Sequence, residues 1–143
     1  MSGFKTSARN TFKGKVKKVT LGAVNAEVVL DLDGQELVAI ITKESAKALE
    51  LREGREAYAL IKASWVIITD GEGLKVSARN QLSGTIEKMT KGAVNSEIIL
   101  GLPGGRKLAA IITNTSADNL KLKEGGRAGA LIKASHVIVA VEA

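Results

Sequence analysis

The chain has 143 residues, of which 45% are hydrophobic, a formal net charge of +6, one histidine and no cysteine. Without cysteine it has no disulfide scaffold, thiolate nucleophile, zinc finger or iron–sulfur ligand. Its longest apolar runs are shorter than the roughly 20 residues of a membrane span, and Met1–Lys5 lacks the apolar segment of a secretory signal. We therefore expect a soluble cytoplasmic protein without a membrane partner.

An internal repeat organises the whole sequence. Thr6–Asn10 returns as Val76–Asn80, and Gly22–Glu27 returns as Gly92–Glu97. Repeats of this kind predict two copies of one structural unit. The predicted domains are 5–69 and 75–140, joined by a polar linker at 70–74 that contains two glycines.

The first part of each copy is predicted to be strands. In the first copy these begin with Ser7–Asn10 and Lys15–Thr20, followed by alternating apolar and polar residues from Val24 to Leu32. Such alternation is typical of a half-buried strand. Asp33-Gly34 predicts a hairpin turn into a further strand at Glu36–Ile41.

Helical spacing then replaces the alternation. Thr42 is a candidate N-cap for a short helix, and Ala57–Thr69 is predicted as one long final strand, apolar on both faces except at Lys62 and Ser64. A strand buried on both faces suits a barrel covered by another subunit. The sequence thus predicts an all-β fold of two tandem OB-like five-stranded barrels, each with one short helix. Because a unit of about 65 residues is marginal alone, we expect oligomerisation.

Polar residues that are kept in both copies are candidates for function. Most of them donate hydrogen bonds through hydroxyl, amide, guanidinium or ammonium groups, and no two retained carboxylates stand together in one copy as an acid–base pair would. Donors alone suit a fully deprotonated oxyanion such as molybdate, tungstate or sulfate, whereas phosphate near pH 7 carries a proton that needs an acceptor. The helix-start serines are predicted where free backbone N–H groups favour anions. The retained pairs include Ser7/Ser77, Arg9/Arg79, Asn10/Asn80, Thr20/Thr90, Asn25/Asn95, Glu27/Glu97, Ser45/Ser116, Lys62/Lys133 and Ser64/Ser135.

A purely structural role is open for each motif. The segment Ser7–Asn10 can be turn chemistry with its asparagine in an Asx-turn, and Gly22–Asn25 can be a tight turn. Lys62 can extend past its apolar neighbours to reach water. His136 stands where the first copy has Trp65, so a packing role is favoured over catalysis.

The retained motifs resemble the Mop family of small molybdate-binding proteins, also called TOBE-type domains. The pattern is Thr-Ser-Ala-Arg-Asn, Gly-Ala-Val-Asn-Ala-Glu, Ile-Thr-x-x-Ser-Ala and Ile-Lys-Ala-Ser-x-Val, found in order in both copies with few changes. The resemblance implies a homotrimer of OB-like barrels that holds molybdate or tungstate without an organic cofactor. The tandem form is similar to cytoplasmic molybdate-storage proteins, and the chain has no room for a DNA-binding or ATPase domain, so storage is the expected role.

The resemblance also implies two kinds of oxyanion site. At the first, between subunits, the Ser-Ala-Arg and Lys-Ala-Ser segments of one subunit meet the helix-start serine of a neighbour; at the second, glycine turns meet on a threefold axis. The implied interface residues are Ser7, Ala8, Arg9, Ser45, Ala46, Lys62, Ala63, Ser64, Ser77, Ala78, Arg79, Ser116, Ala117, Lys133, Ala134 and Ser135. The implied axis residues are Gly22, Ala23, Val24, Asn25, Gly92, Ala93, Val94 and Asn95. Because Lys43-Glu44 becomes Asn114-Thr115, the two copies are expected to differ in affinity.

Three other function classes compete with oxyanion storage. The positive charge and the OB-like fold are compatible with nucleic-acid binding. Single-strand binding normally uses aromatic platforms, however, and none of Phe4, Phe12, Tyr58 and Trp65 is duplicated in the second copy. An enzyme is not favoured because no acid–base pair recurs, and no ligand set for a metal cation is predicted. A trimerisation module would use the same donors only to satisfy its interface.

Overall fold

The computed structural model describes residues 5–71 and 74–143. Met1–Phe4 and residues 72–73 of the predicted linker lie outside the described residues. Within the described ranges the chain forms ten strands, two α-helices and two single 3-10 turns. The strands are β1 (Asn10–Leu21), β2 (Asn25–Leu32), β3 (Gln35–Thr42), β4 (Glu56–Ile61), β5 (Ile67–Thr69), β6 (Asn80–Lys91), β7 (Asn95–Gly101), β8 (Lys107–Thr113), β9 (Arg127–Ile132) and β10 (Ile138–Ala140). The helices are α1 (Lys43–Ala48) and α2 (Asn114–Asn119), and the 3-10 turns are Ala63–Trp65 and Ala134–His136.

The strands form two antiparallel five-stranded sheets. Their orders are β10-β4-β1-β2-β3 and β5-β9-β6-β7-β8. In the first unit β10 and the turn Ala134–His136 also contact β3, so the two edges of the sheet approach each other. The predicted fold of two OB-like five-stranded barrels, each with one short helix, is confirmed.

The last strand of each repeat belongs to the unit built mainly from the other repeat. Among the described residues, one compact unit contains residues 5–61 together with Lys133–Ala143, and the other contains residues 62–71 and 74–132. Correspondingly, β10 pairs with β4, and β5 pairs with β9. The compact units therefore have other boundaries than the sequence repeats at 5–69 and 75–140, because each repeat exchanges its final strand.

The predicted long final strand at Ala57–Thr69 is wrong. The strand stops at Ile61, a 3-10 turn follows in which the Trp65 N–H donates to the Lys62 carbonyl at 3.0 Å, and a separate strand begins at Ile67. Ala63 is buried like the inward residues of the strand before it, so the alternation continues through the turn. Residues on both faces of β4 are buried within one chain, so this burial needs no second subunit.

The first two predicted strands are one. Ser7–Arg9 precede the sheet, and β1 runs without interruption from Asn10, whose Cα partner on β4 is Ile61. A Cβ on Gly14 would lie 2.6 Å from the Asp31 backbone oxygen, so this close strand approach requires glycine. A register shift between Val16 and Lys18 marks a β-bulge, which bends the strand.

The turn and helix signals are correctly predicted. Asp33 and Gly34 both have positive φ, as the hairpin between β2 and β3 requires. The Thr42 hydroxyl oxygen caps α1 by accepting from the Ser45 N–H at 3.1 Å. Each unit encloses an aliphatic core, which includes Val28, Leu30, Leu37 and Ile61 in the first and Ile98, Leu100, Leu108 and Ile132 in the second.

Candidate functional site

The helix-start serines are held by the capping threonines. The Thr42 hydroxyl accepts from the Ser45 N–H and donates to the Ser45 Oγ at 2.8 Å, and Thr113 makes the same two bonds to Ser116. Because Ser45 Oγ accepts from Thr42, its own proton can point to an external acceptor. The helices have only six residues, and the capped N–H is occupied, so the hydroxyl is the better anion donor here.

The Lys-Ala-Ser segments form the 3-10 turns. In both copies the alanine is buried while the lysine before it and the serine after it are exposed. In the second copy the His136 N–H donates to the Lys133 carbonyl at 2.9 Å and closes the turn. The buried alanine anchors each turn to the core, and the ammonium group of the lysine and the hydroxyl of the serine lie on the outside.

Ser45 and Ser135 lie in one groove of the first unit. Its volume is about 390 Å³, and its walls are α1, β3, the turn Ala134–His136 and β10. Its other lining side chains are aliphatic, including Ile40, Leu49 and Val137. The first-copy helix serine thus shares a groove with the second-copy Lys-Ala-Ser segment within one chain. In the second unit β8, which leads into α2, contacts the turn Ala63–Trp65.

The Ser-Ala-Arg segments lie directly before the sheets. Ser7 and Arg9 are exposed, whereas the next residue, Asn10, is only 2% exposed and donates from Nδ2 to the Ile61 carbonyl at 3.2 Å. Asn10 therefore ties the start of β1 to the end of β4. The sequence alternative was a structural role for Asn10 in a local Asx-turn, whereas this hydrogen bond joins two distant segments of the chain. In each copy the asparagine is the Cα partner of the residue directly before the candidate lysine. These partners are Ile61 before Lys62 and Ile132 before Lys133.

Lys62 and Trp65 contact each other across the first 3-10 turn. The Lys62 Nζ lies 5.3 Å from the centre of the Trp65 ring, within the range of a cation–π interaction. The second copy has His136 at this position and cannot form the same contact with a tryptophan. Trp65 therefore reports on the environment of one candidate lysine.

The predicted axis residues form tight turns between strands. The Gly22 N–H donates to the Asn25 carbonyl at 2.8 Å, and the Gly92 N–H donates to the Asn95 carbonyl at 2.7 Å. Val24 and Val94 at the tips are 72% and 70% exposed. The tight-turn interpretation of this motif is confirmed, and a binding role is compatible with the same geometry.

Much of the positive charge on β1 is paired with carboxylates. Lys17 donates to Glu36, and the Lys13 Nζ lies 3.7 Å from Glu56 Oε1. The hydrogen bond and charge of Glu36 raise the pKa of Lys17. These exposed pairs weaken the case for a continuous nucleic-acid-binding surface on this strand.

Two kinds of feature are absent from the described residues. Among residues 5–71 and 74–143, no three histidine, cysteine, aspartate or glutamate side chains cluster as a metal cation would require. In the same ranges, no helix has the length and apolar character needed to cross a membrane.

Both repeats match one family model. The TOBE domain model matches residues 6–68 and again 76–139. The chain belongs to the TOBE domain family. This confirms the resemblance that the four repeated motifs indicated.

Several relatives of this TOBE chain are named for molybdenum. The molybdenum-pterin-binding protein MopA of Rhodobacter capsulatus is 51% identical over 139 residues, which cover 96% of this chain and 52% of MopA. The molybdenum transport protein ModE of Azotobacter vinelandii is 46% identical over 138 residues, with 96% and 51% covered. The chain thus spans about half the length of these curated relatives.

The solved structure of a molybdate-binding protein matches this TOBE chain over almost its full length. It is a crystal structure of the cytoplasmic molybdate-binding protein ModG with molybdate bound, at 45% sequence identity and a TM-score of 0.94. The match covers 97% of this chain and 100% of the ModG chain. The tandem arrangement of two TOBE units is therefore shared with ModG.

The sequence did not predict two features of the site. One is the placement of Ser45 and Ser135 in the same groove, which depends on the exchange of final strands. The other is the side-chain amide of Asn114, which donates to the Gly92 carbonyl at 2.9 Å. The replacement of Lys43 by Asn114 between the copies was the available signal for the second feature.

Proposed function

We propose that this chain binds molybdate, and with it tungstate, reversibly through hydrogen bonds and stores it in the cytoplasm as a homotrimer. The observation that carries the proposal is the match to molybdate-bound ModG over 97% of the chain. MopA and ModE are named as molybdenum-pterin-binding and molybdenum transport proteins, and ModG is named as a molybdate-binding protein.

The donor groups support this choice of ligand. We propose that the exposed Ser45 and Ser135 hydroxyls donate to oxyanion oxygens from their shared groove, and that Lys133, two residues before Ser135 in the sequence, adds its ammonium group. Hydrogen bonds that involve a charged group contribute about 1.5–3 kcal/mol each. A tetrahedral anion without a proton accepts from every one of these donors, so a site of this type prefers molybdate to phosphate.

The proposal also includes the other candidate residues, which belong to the motifs repeated in the two copies. The Ser-Ala-Arg segments (Ser7, Ala8, Arg9; Ser77, Ala78, Arg79), the first-copy Lys-Ala-Ser segment (Lys62, Ala63, Ser64) and the second helix start (Ser116, Ala117) would complete the interface sites. The turns Gly22–Asn25 and Gly92–Asn95 would form the axis sites. The exposed apolar residues Ile67 and Ile138 on the exchanged strands suit burial between subunits of the trimer.

Titration calorimetry of the dialysed protein with molybdate tests the proposal, together with its mass in solution. We expect tight binding of several ions by a protein of three times 15.0 kDa, weaker competition by sulfate and the weakest by phosphate. Trp65 fluorescence supplies a second readout because Lys62 lies against its ring. A well-folded protein that releases no heat with molybdate, tungstate or sulfate would refute the proposal.

Paired variants test the groove. Ser45→Ala with Ser135→Ala should weaken molybdate binding, whereas Ser83→Ala, an exposed serine on β6, should leave it unchanged. Equal molybdate affinity in the unaltered protein, the Ser45→Ala/Ser135→Ala variant and the Ser83→Ala variant would show that the groove is not part of the binding site.

A further inference from the structure

The turn at Gly92–Asn95 is tied to α2 by a side chain. Asn114, the first residue of α2, donates from Nδ2 to the Gly92 carbonyl at 2.9 Å. Its Oδ1 accepts from the Ser96 hydroxyl, and Ser96 is only 2% exposed. The amide orientation is set by these partners, since a carbonyl can only accept and needs the NH₂ group opposite it.

The backbone adds a further bond in the same place. The Asn114 N–H donates to the Val94 carbonyl at 2.9 Å, while the Gly92 N–H donates to the Asn95 carbonyl at 2.7 Å. Asn114 therefore engages two carbonyl groups of one turn, from its backbone and its side chain. A carbonyl oxygen that already accepts a hydrogen bond repels an anion less than a free carbonyl oxygen does.

The corresponding turn of the first copy has only the backbone part of this arrangement. The Lys43 N–H donates to the Val24 carbonyl at 2.8 Å, and the Gly22 N–H donates to the Asn25 carbonyl. Ala26 stands in place of the serine and has no hydroxyl, and Lys43 has no acceptor oxygen. The side-chain bridge therefore cannot form there, although the rest of the turn is the same.

We propose that Asn114 is a positioning residue that fixes the Gly92–Asn95 turn before an anion arrives, so that this turn is occupied at lower molybdate concentration than Gly22–Asn25. The inference rests on the proposed function and deepens it by assigning an order of filling to the two repeats. A turn that is already ordered loses less conformational entropy on binding, which increases the observed affinity. The buried Ser96 hydroxyl strengthens the effect because breaking its bond would leave a desolvated donor.

Hydrogen–deuterium exchange of the full chain tests the apo state first. Peptides over 89–97 should exchange about fivefold to tenfold more slowly at the turn than peptides over 19–27, the change expected for one net hydrogen bond. Asn114→Leu should remove this difference, and the matched Lys43→Leu should not change exchange in either peptide. Equal exchange of the two turns in the unaltered protein would overturn the proposal.

Exchange measured during titration with sodium molybdate tests the order of filling. Protection of 92–95 should reach half its final value at a lower molybdate concentration than protection of 22–25, and Asn114→Leu should raise the first value about fivefold to tenfold. The double variant Ala26→Ser with Lys43→Asn transfers the bridge to the first copy. It should lower the half-protection concentration of 22–25, a gain that a merely structural role would not produce, with Lys43→Met as the control for lost charge.

The possible failures are distinguishable. Heat on molybdate addition without protection of 92–95, or with both turns filling together, would overturn the role of Asn114 and leave the proposed function standing. No heat from the unaltered protein would overturn the proposed function and this inference with it. If Asn114→Leu does not fold, the transfer variant decides alone, and an unchanged 22–25 turn then refutes the proposal.

Discussion

At the scale of single residues, two serines of the candidate site are placed by residues close to them in the chain. Thr42 orients Ser45, and the buried anchor Ala134 places Ser135 at the surface. Asn10 is the instructive contrast, because its recurrence as Asn80 has a structural cause. Both asparagines are 2% exposed, and Asn10 bonds to the end of the neighbouring strand. Retention of a polar residue in both copies therefore identifies constrained positions and does not by itself separate binding from folding.

Removing a candidate cation should weaken anion binding without unfolding the protein. Arg9→Ala and Lys133→Ala each delete an exposed charged donor, and we expect about tenfold weaker molybdate binding in each. Calorimetry gives the affinity and stoichiometry, and light scattering checks the assembly. Lys15→Ala on the exposed side of β1 is the control for lost charge. Unchanged stoichiometry and affinity in both variants would exclude these residues from the site.

At the scale of elements, a side-chain hydrogen bond holds the exchanged strand β10 in addition to its backbone pairing with β4. Ala140 pairs with Tyr58, and the Tyr58 hydroxyl donates to Glu142 Oε1 at 3.3 Å. The second copy has Gly129 instead of tyrosine, and a Cβ there would lie 2.7 Å from Thr69 Oγ1. The two exchanged strands are thus held by different local contacts, although their pairing is equivalent.

Alkaline pH should reveal the Tyr58 contact. Burial raises the pKa of Tyr58, and the negative charge of Glu142 raises that pKa further. Above the ordinary tyrosine value of about 10, the unfolded chain loses this proton while the folded chain retains it. The free energy of unfolding should therefore fall as pH rises above about 10. Urea unfolding from pH 8 to 11 should show a smaller fall for Tyr58→Phe, and identical pH slopes would contradict the assignment.

At the scale of the whole molecule, duplication and strand exchange belong together. Each compact unit takes four strands and a helix from one repeat and one strand from the other. In a single repeat, one edge of β4 or β9 has no strand from the same repeat to pair with, and the final strand likewise lacks a pairing partner. The tandem chain satisfies both requirements within one polypeptide.

An isolated repeat should therefore associate. A fragment of residues 1–71 has the β4 edge without β10, and we expect its Ile67–Thr69 strand to pair with another copy. Sedimentation should give a mass above that of one fragment, with the full chain as the reference. A folded monomer of the fragment would show that β5 can close on its own β4.

The sequence by itself determined the features that depend on short spans of chain. The alternation of β2, the positive-φ hairpin at Asp33-Gly34 and the Thr42 cap follow from neighbouring residues. Comparison of short segments between the two halves gave the duplication, the candidate oxyanion donors and the motifs that identified the family. Periodicity failed after Ile61, because Ala63 is buried as the alternation requires although it lies in a 3-10 turn.

Only the tertiary structure decided which distant segments meet. The exchange of β5 and β10 depends on where the chain turns away from its own sheet, and no local pattern encodes the choice of partner edge. That choice brings Ser45 of the first copy into one groove with Ser135 of the second. The bond from Asn114 to Gly92 spans 22 positions and requires the β6–β7 turn to lie beside α2. Long-range pairing thus decided how the donors that the sequence indicated are combined.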